Sequence, residues 1–230
     1  MPTEKEVYDA HADQYERLIQ REDYQGNILR EIENLIVLDG LDVVDLGAGT
    51  GRLTRLLAPH VHSIKAFDAS AHMLAEAGRS LDALGMTNWE TGVADHREIP
   101  LVADSVDLVV SGWGFCYLSV WGGDGWRTAL EDGLAEMRRI LKPGGMVILF
   151  ETQGTGVVDP TPPVHLAGYF AFLAEAGFGL RAFRTDYRFE SLVEAEELSK
   201  FFFGEEMWKN VLQNRWQILP EWTGIFWQRM

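Results

Sequence analysis

The chain has 230 residues, 47% of them hydrophobic and 24% charged, which is enough to bury the core of one substantial globular domain. Its 35 acidic and 20 basic side chains give a formal net charge of -15, which repels phosphate backbones and argues against general nucleic-acid binding. The lone cysteine, Cys116, excludes an internal disulfide, and no cysteine–histidine cluster has metal-ligand spacing, so we expect a reducing, cytoplasmic location and no metal.

The N-terminal segment is polar and lacks the apolar core of a signal peptide. No apolar run in the sequence reaches the length of a membrane span, so no membrane partner is expected. Residues 4–38 have apolar positions at helical spacing, with an interruption near Gly26. We therefore divide the chain into an N-terminal helical segment, residues 1–38, and a single domain over residues 39–230.

From residue 41 onward, predicted strands and helices alternate. The strands are predicted at 41–46, 62–67, 89–94, 106–111, 146–151, 180–189 and 222–228. The helices between them are predicted at 51–58, 70–84, 124–141, 164–176 and 192–212. Near-continuous apolar strands alternating with helices indicate a mostly parallel sheet covered on both faces. Ligands of such sheets bind beyond the carboxyl ends of the strands, so the residues directly after each strand are the candidates for a site.

The first strand ends in the run DLGAGTG, residues 45–51, which has three glycines at alternate positions. A dinucleotide site requires the spacing G-x-G-x-x-G, but the third position holds Arg52 when counted from Gly47 and Thr54 when counted from Gly49. The spacing present lets the backbone pass close to a bulky, uncharged part of a ligand. The alternative is a tight strand-to-helix turn that holds no ligand.

Carboxylates also follow the second and third predicted strands. Asp68 is placed to accept both hydroxyls of a ribose, although dinucleotide enzymes use the same contact and a negative charge at a helix N-terminus is an alternative role. Asp95, in the run GVADH, lies just past the third predicted strand, although aspartate after a strand is often only a turn residue. The glycine turn, Asp68 and Asp95 thus occur in order at the ends of the first three predicted strands, which makes coincidence improbable.

These motifs resemble those of the class I S-adenosylmethionine (SAM)-dependent methyltransferases. The resemblance is strong over residues 40–150 and weaker over 4–38 and 164–230. It implies a Rossmann-like, doubly wound, mostly parallel seven-stranded α/β sheet with helices on both faces and an N-terminal helical lid. It also implies SAM as the cofactor and S-adenosylhomocysteine (SAH) as the product. The fourth strand, at 105–113, departs from the family pattern because Val106 replaces an aromatic residue.

The resemblance places the methionine and ribose parts of SAM against the glycine turn and the adenine beside Asp95, with Ala94 offering its backbone N–H. Met73 would contact the adenine, and Tyr15 and Tyr24 of the N-terminal lid would fold over the cofactor carboxylate. All three side chains could equally be packing residues. The full set of expected cofactor residues is Tyr15, Tyr24, Asp45, Gly47, Ala48, Gly49, Gly51, Asp68, Ala69, Met73, Ala94, Asp95, His96, Ser111 and Trp113.

The acceptor side is less clearly indicated. The loop over residues 111–126 is rich in glycine and aromatic residues, which favours an aromatic-lined acceptor pocket with Trp113 and Tyr117 nearest the methyl group, or else a loop packed on the core. Glu151 and His165 could orient or deprotonate an acceptor, or could merely cap a loop or face solvent. No catalytic residue is assigned, because transfer of an activated methyl group requires mainly positioning and desolvation.

The expected function is methyl transfer to an O, N or C nucleophile of a small, apolar or aromatic molecule. A SAM-binding regulatory protein without turnover is an alternative, and an NAD-dependent oxidoreductase is disfavoured by the glycine spacing. Ser111 to Gly114 stand where amino-directed nucleic-acid methyltransferases carry an Asp/Asn-Pro-Pro-Tyr tetrapeptide, so a nucleic-acid acceptor is not expected. A monomer and a homodimer are both compatible with the sequence.

Overall fold

A computed structural model describes residues 12–230. The helices are α1 (Ala12–Ile19), α2 (Asn27–Glu33), α3 (Arg52–Leu57), α4 (Ala71–Ala83), α5 (Tyr117–Val120), α6 (Trp126–Ile140), α7 (Ala167–Glu175) and α8 (Leu192–Asn214). The strands are β1 (Asp42–Leu46), β2 (Ser63–Asp68), β3 (Trp89–Val93), β4 (Val106–Gly112), β5 (Leu141–Thr155), β6 (Gly179–Arg184), β7 (Tyr187–Arg188), β8 (Ile218–Leu219) and β9 (Glu221–Arg229).

Seven of these strands form one sheet in the order β3-β2-β1-β4-β5-β9-β6. The pairs from β3 to β5 are parallel, whereas β9 runs antiparallel to both β5 and β6. The predicted doubly wound, seven-stranded fold is therefore confirmed. Strand order reverses between β1 and β4, and that switch point creates a crevice beyond their carboxyl ends.

Alternate residues of each strand pack against opposite faces of the sheet. Val109 faces a core that contains Leu134 of α6 and Leu173 of α7, whereas its neighbour Leu108 faces a core that contains Leu57 of α3. All five side chains are at most 2% exposed, and burial stabilises each by roughly 1.5–3 kcal/mol. Helices on both faces thus hold the central strands, and with them the crevice, in a fixed position.

Local sequence signals explain where several helices begin. The Ser70 hydroxyl accepts a hydrogen bond from the backbone N–H of Met73 at 3.3 Å, as expected for the N-cap of α4. Ser191 caps α8 in the same way, through the N–H of Glu194 at 3.1 Å. Gly26, where the sequence indicates an interruption, has φ of 68° and precedes α2. Residues 1–11 of the predicted N-terminal segment lie outside the described residues.

Three element boundaries differ from the prediction. The Lys-Pro-Gly-Gly turn at 142–145 lies inside β5 instead of before it, because Leu141 already pairs with Val106 ahead of a shift in register. The strand expected at 180–189 divides at Thr185, whose N–H donates to the Glu221 carbonyl, and β7 then pairs with β8 outside the sheet. Helix α8 continues to Asn214 but is kinked at Gly204, which has φ of 83°.

None of the helices between Ala12 and Met230 combines the length and apolar character needed to cross a bilayer.

Candidate active site

A cavity of about 590 Å³ opens at the switch point of the sheet. Its wall is formed by the glycine turn after β1, the end of β2, the loops after β3 and β4, and one face of α1. This is the position at which open α/β sheets bind their ligands.

The glycine turn is held tightly between its neighbours. The N–H groups of Gly47 and Ala48 both donate to the Phe67 carbonyl, at 2.8 and 3.0 Å. A Cβ on Gly47 would lie 3.2 Å from the His96 ring, at the cavity wall. A Cβ on Gly51 would lie only 2.9 Å from the Cβ of Ala77, so this glycine serves the packing of α3 on α4 and does not line the cavity.

Two aspartates surround this turn. Asp68 accepts hydrogen bonds from the N–H groups of Gly49 and Ser70, each at 2.8 Å, and so fixes the turn and the start of α4 together. Asp45 is 1% exposed and accepts from the Thr54 hydroxyl through Oδ2 at 2.6 Å, whereas its Oδ1 is buried without a partner among residues 12–230. Burial raises the pKa of Asp45 to about 7.

The loop after β3 supplies an imidazole and an ion pair. Burial lowers the pKa of His96, so its ring is neutral near pH 7. Its Nε2 is buried and has no hydrogen-bond partner in the described part of the chain. The Asp95 carboxylate accepts from Nε and Nη2 of Arg97, both at 2.8 Å, and this pairing lowers the pKa of Asp95 to about 2. The carboxylate expected to bind adenine therefore has a guanidinium partner already.

The loop after β4 provides an aromatic wall. Trp113 adopts a left-handed backbone conformation, with φ of 53°, and its N–H donates to the Phe150 carbonyl at 2.8 Å. Tyr117 stacks on Trp121 with ring centroids 4.2 Å apart and an angle of 14° between the ring planes. Together with Leu118, these side chains make one side of the cavity apolar.

Helix α1 forms the side of the cavity next to the glycine turn. Its residues Tyr15 and Ile19 line the cavity. Glu16, which follows Tyr15, accepts a hydrogen bond from the buried Thr50 hydroxyl at 2.7 Å. Its carboxylate also forms an ion pair with Arg55 at 2.7 Å. The N-terminal segment is therefore bonded directly to the turn at the centre of the site.

A family model described as a methyltransferase domain matches residues 43–145. The chain is also 31% identical, over 186 residues, to the demethylmenaquinone methyltransferase of Staphylococcus aureus, in a match that covers 75% of this chain and 70% of that enzyme. The chain belongs to the class I SAM-dependent methyltransferases.

Two further similarities agree with this family. The malonyl-[acyl-carrier protein] O-methyltransferase of a Marinomonas species is 33% identical over 137 residues, which cover 58% of this chain and 46% of that enzyme. A SAM-dependent methyltransferase from Aquifex aeolicus has the same fold, with a TM-score of 0.57, 18% identity and 86% of each chain covered. The family assignment agrees with the glycine spacing, which disfavours an NAD-dependent oxidoreductase.

The residues of the cavity fit the methyltransferase cofactor. The side-chain-free turn at Gly47 admits the close approach of an uncharged ligand portion. The buried, unpartnered Oδ1 of Asp45 and Nε2 of His96 offer hydrogen-bonding atoms at the same wall. The Asp68 carboxylate, at the end of β2, keeps lone pairs beyond its two backbone bonds.

The structure brings most of the expected site residues to this cavity. Those that line it are Tyr15, Asp45, Gly47, Ala48, Gly49, Asp68, Ala69, Met73, Asp95, His96, Trp113 and Tyr117. Their individual roles toward cofactor and acceptor stay predictions.

Three further residues expected at the cofactor lie away from the cavity wall. Tyr24 is 39% exposed and packs under the Arg188 guanidinium, 5.2 Å from its ring centroid. The N–H of Ala94 donates to the Asp68 carbonyl at 3.1 Å, which continues the pairing of β2 with β3. Ser111 is 1% exposed, and its hydroxyl is buried at the end of β4.

Two of the expected acceptor residues also lie elsewhere. Glu151 is 1% exposed and accepts from the N–H of Cys116 at 3.2 Å and from the Tyr169 hydroxyl at 2.9 Å. Its burial raises its pKa to about 7. His165 is exposed in the short helical turn before α7. Neither side chain lines the cavity. Glu151 is held in the core because β5 continues past it to Thr155.

Several side chains of the cavity wall are not among the residues that the sequence indicates, and Arg52, Arg97 and Trp121 are three of them. In the sequence, Arg52 only breaks the dinucleotide spacing, whereas in the structure its place on the first turn of α3 brings it to the cavity. Arg97 follows Asp95 by two residues, a spacing that permits the observed ion pair. Trp121 belongs to the aromatic loop that was singled out, and only the short helix α5 brings it onto Tyr117.

Proposed function

We propose that this methyltransferase acts on a small, aromatic acceptor that binds beside SAM in the same cavity. One observation carries the proposal. Polar residues after β1, β2 and β3 and an aromatic wall after β4 line a single cavity of about 590 Å³. This volume is within the range of small-molecule sites.

The proposal assigns the polar end of the cavity to the cofactor. Asp68 accepts hydrogen bonds from the ribose hydroxyls, Met73 packs on the adenine, and Gly47 provides close backbone cover for the methionine part. SAM supplies a methyl group that is already activated by a sulfonium centre. The chain then has to orient the acceptor in line with that methyl group and to exclude water.

The aromatic end of the cavity is assigned to the acceptor. Trp113, Tyr117 and Trp121 offer stacking faces, and Leu118 adds aliphatic surface. The relatives act, according to their names, on demethylmenaquinone and on malonyl-[acyl-carrier protein]. Stacked aromatic side chains favour a ring over a short aliphatic acid, so a phenol- or naphthol-type acceptor is the proposed class.

The proposal also gives residues 1–38 the role of a lid. Support comes from α1, which contributes Tyr15 and Ile19 to the cavity and is bonded to the glycine turn through Glu16. A cytoplasmic location and a monomeric or homodimeric state stay predictions.

The test is transfer of a tritiated methyl group from SAM to a panel of naphthols, phenols, amines and malonyl thioesters. We expect label in the naphthols or phenols and, for Trp121→Ala, a rise in the acceptor KM with unchanged SAH affinity. Trp208→Ala is the matched control, since this half-buried tryptophan contacts Lys200 and does not line the cavity. SAH binding without label in any acceptor would instead favour a regulatory SAM-binding protein.

A further inference from the structure

The guanidinium of Arg52 lies at the cavity wall, where an ion pair and a stacking contact hold it. Its Nη1 lies 2.7 Å from a carboxylate oxygen of Glu22, and its Cζ lies 4.2 Å from the centroid of the Trp113 ring. The side chains of Arg52 and Glu22 are 17% and 4% exposed. A guanidinium with one ion pair and one stacking contact is fixed in orientation.

The second terminal nitrogen of this group is buried and is not used by the residues that the structure describes. Nη2 of Arg52 makes no hydrogen bond with any residue from 12 to 230. A buried, charged donor without a partner is costly and rare in folded proteins, so it requires an explanation. Burial by itself would lower the pKa of Arg52, but the Glu22 carboxylate, together with Tyr187 and Tyr15, more than offsets this effect, and the guanidinium stays charged.

The aromatic platform beneath this charge is itself strained. Trp113 has φ of 53°, and a bulky residue held in this left-handed region costs roughly 1–3 kcal/mol. Strain of this kind persists where the surrounding structure imposes it, and it concentrates at ligand sites. The same conformation lays the indole ring under Arg52 at the cavity wall.

We propose that Arg52 binds an anionic oxygen inside the cavity through Nη2, with Glu22 and Trp113 as its positioning residues. This inference rests on the proposed function. Two sources offer the same chemistry: the carboxylate of the amino-acid part of the cofactor, and the ionised oxygen of a phenol- or naphthol-type acceptor. A guanidinium recognises either oxygen through a charge-assisted hydrogen bond.

Arg55 provides a matched control on the same helix. It pairs with Glu16 at 2.7 Å and is 18% exposed, so it resembles Arg52 in burial and in having a carboxylate partner on the N-terminal segment. Unlike Arg52, it does not line the cavity. Arg52→Met and Arg55→Met therefore both remove a link to the N-terminal segment, but only Arg52→Met removes the cavity donor. Arg52→Lys keeps the charge and loses the planar fork, which guards against misfolding of the methionine variant.

Calorimetric titration separates the two sources. SAH carries the amino-acid carboxylate, and 5′-methylthioadenosine keeps the adenosine and thioether but lacks that carboxylate. If the cofactor is the source, Arg52→Met weakens SAH binding by about 10- to 100-fold and leaves methylthioadenosine binding within about twofold. The SAH affinity of Arg52→Lys should lie between those of the wild-type protein and Arg52→Met. Arg55→Met should bind both ligands with wild-type affinity.

If the acceptor is the source, the effect appears on a different probe. With protein saturated with SAH, Arg52→Met weakens binding of 2-hydroxy-1,4-naphthoquinone, an anion at neutral pH, by about tenfold or more and spares neutral 1,4-naphthoquinone. The inference would be overturned if Arg52→Met bound both SAH and the anionic probe as tightly as the wild-type protein does. It would also be overturned if Arg52→Met and Arg55→Met lost the same binding affinity. Failure of the proposed function is distinct, because the wild-type protein would then bind no SAH, or would bind SAH and transfer label to none of the acceptors.

Discussion

Gly51 is required by the packing of the site more than by contact with a ligand. It has φ of 81°, and a Cβ there would lie 2.9 Å from the Cβ of Ala77. Gly85 has a similar φ of 69° but open space around it. We expect Gly85→Ala to lower the free energy of unfolding by roughly 1–2 kcal/mol through backbone strain alone, and Gly51→Ala to lower it by more. Urea denaturation measures both, and equal losses would contradict the packing role.

Glu151 links stability to pH. Its pKa rises from 4.5 in the unfolded chain to about 7 in the fold because burial penalises the carboxylate. The folded state then binds more protons than the unfolded state, so this group's stabilisation is complete below pH 4.5 and is lost as pH rises through 7. Glu151→Gln removes the titration and keeps an acceptor for Tyr169.

The stability of Glu151→Gln relative to wild type should therefore increase with pH. Between about pH 5 and about pH 8 we expect a relative gain of up to about 3 kcal/mol in the free energy of unfolding, measured by urea denaturation. A difference between the two proteins that stays constant with pH would show that Glu151 ionises normally.

Single residues are predictable where they lie at or just past the end of a strand. Asp45, Asp68 and Asp95 stand at such positions, the carboxyl ends of parallel strands meet at one edge of a sheet, and all three residues line the cavity. Glu151 is the last residue of the predicted strand at 146–151, but β5 continues to Thr155, and the Glu151 side chain stays in the core. The length of a strand, which tertiary pairing sets, decides between these outcomes.

At the scale of elements, one hydrogen bond connects α1 to the glycine turn. The Thr50 hydroxyl donates to the Glu16 carboxylate at 2.7 Å in a buried position. Thr50→Val keeps the shape of the side chain and leaves a buried carboxylate oxygen without this donor. We expect a loss of about 1–3 kcal/mol in stability and faster amide hydrogen exchange in α1.

An exposed ion pair of the same helix serves as the control for Thr50→Val. Arg17 pairs with Glu197 at 3.1 Å, but the two side chains are 45% and 53% exposed. Arg17→Ala should therefore change stability by less than about 1 kcal/mol and leave exchange in the rest of α1 unaltered. Equal effects of Thr50→Val and Arg17→Ala would show that the buried bond has no special part in holding α1.

Helix α5 shows which elements the sequence could not predict. It has four residues, too few for a recognisable apolar period, and it lies in a loop whose glycine content indicates irregular structure. Its stacked pair, Tyr117 and Trp121, exists only because this single turn brings positions four apart onto one face. By contrast, α4 and α6 were predicted from their apolar spacing and lie within three residues of the expected bounds.

At the scale of the whole molecule, strand order creates the site. The reversal between β1 and β4 places the glycine turn, the Asp68 carboxylate and the Trp113 loop around one cavity, although Gly47 and Trp113 stand 66 positions apart in the sequence. Apolar runs and turn residues predict the seven strands, and the family resemblance implies their arrangement. The contacts of Arg52 depend on three separate segments, and no local pattern indicates them.

The most direct measurement is calorimetric titration of the wild-type protein and Asp68→Ala with SAH and with NAD. The wild-type protein should bind SAH, and NAD should give no binding. Asp68→Ala should lose roughly 1–3 kcal/mol of SAH binding free energy, because the variant lacks both the acceptor for the ribose hydroxyls and the anchor of the Gly49 N–H. Binding of NAD instead of SAH, or an Asp68→Ala variant that binds SAH as tightly as wild type, would contradict the account.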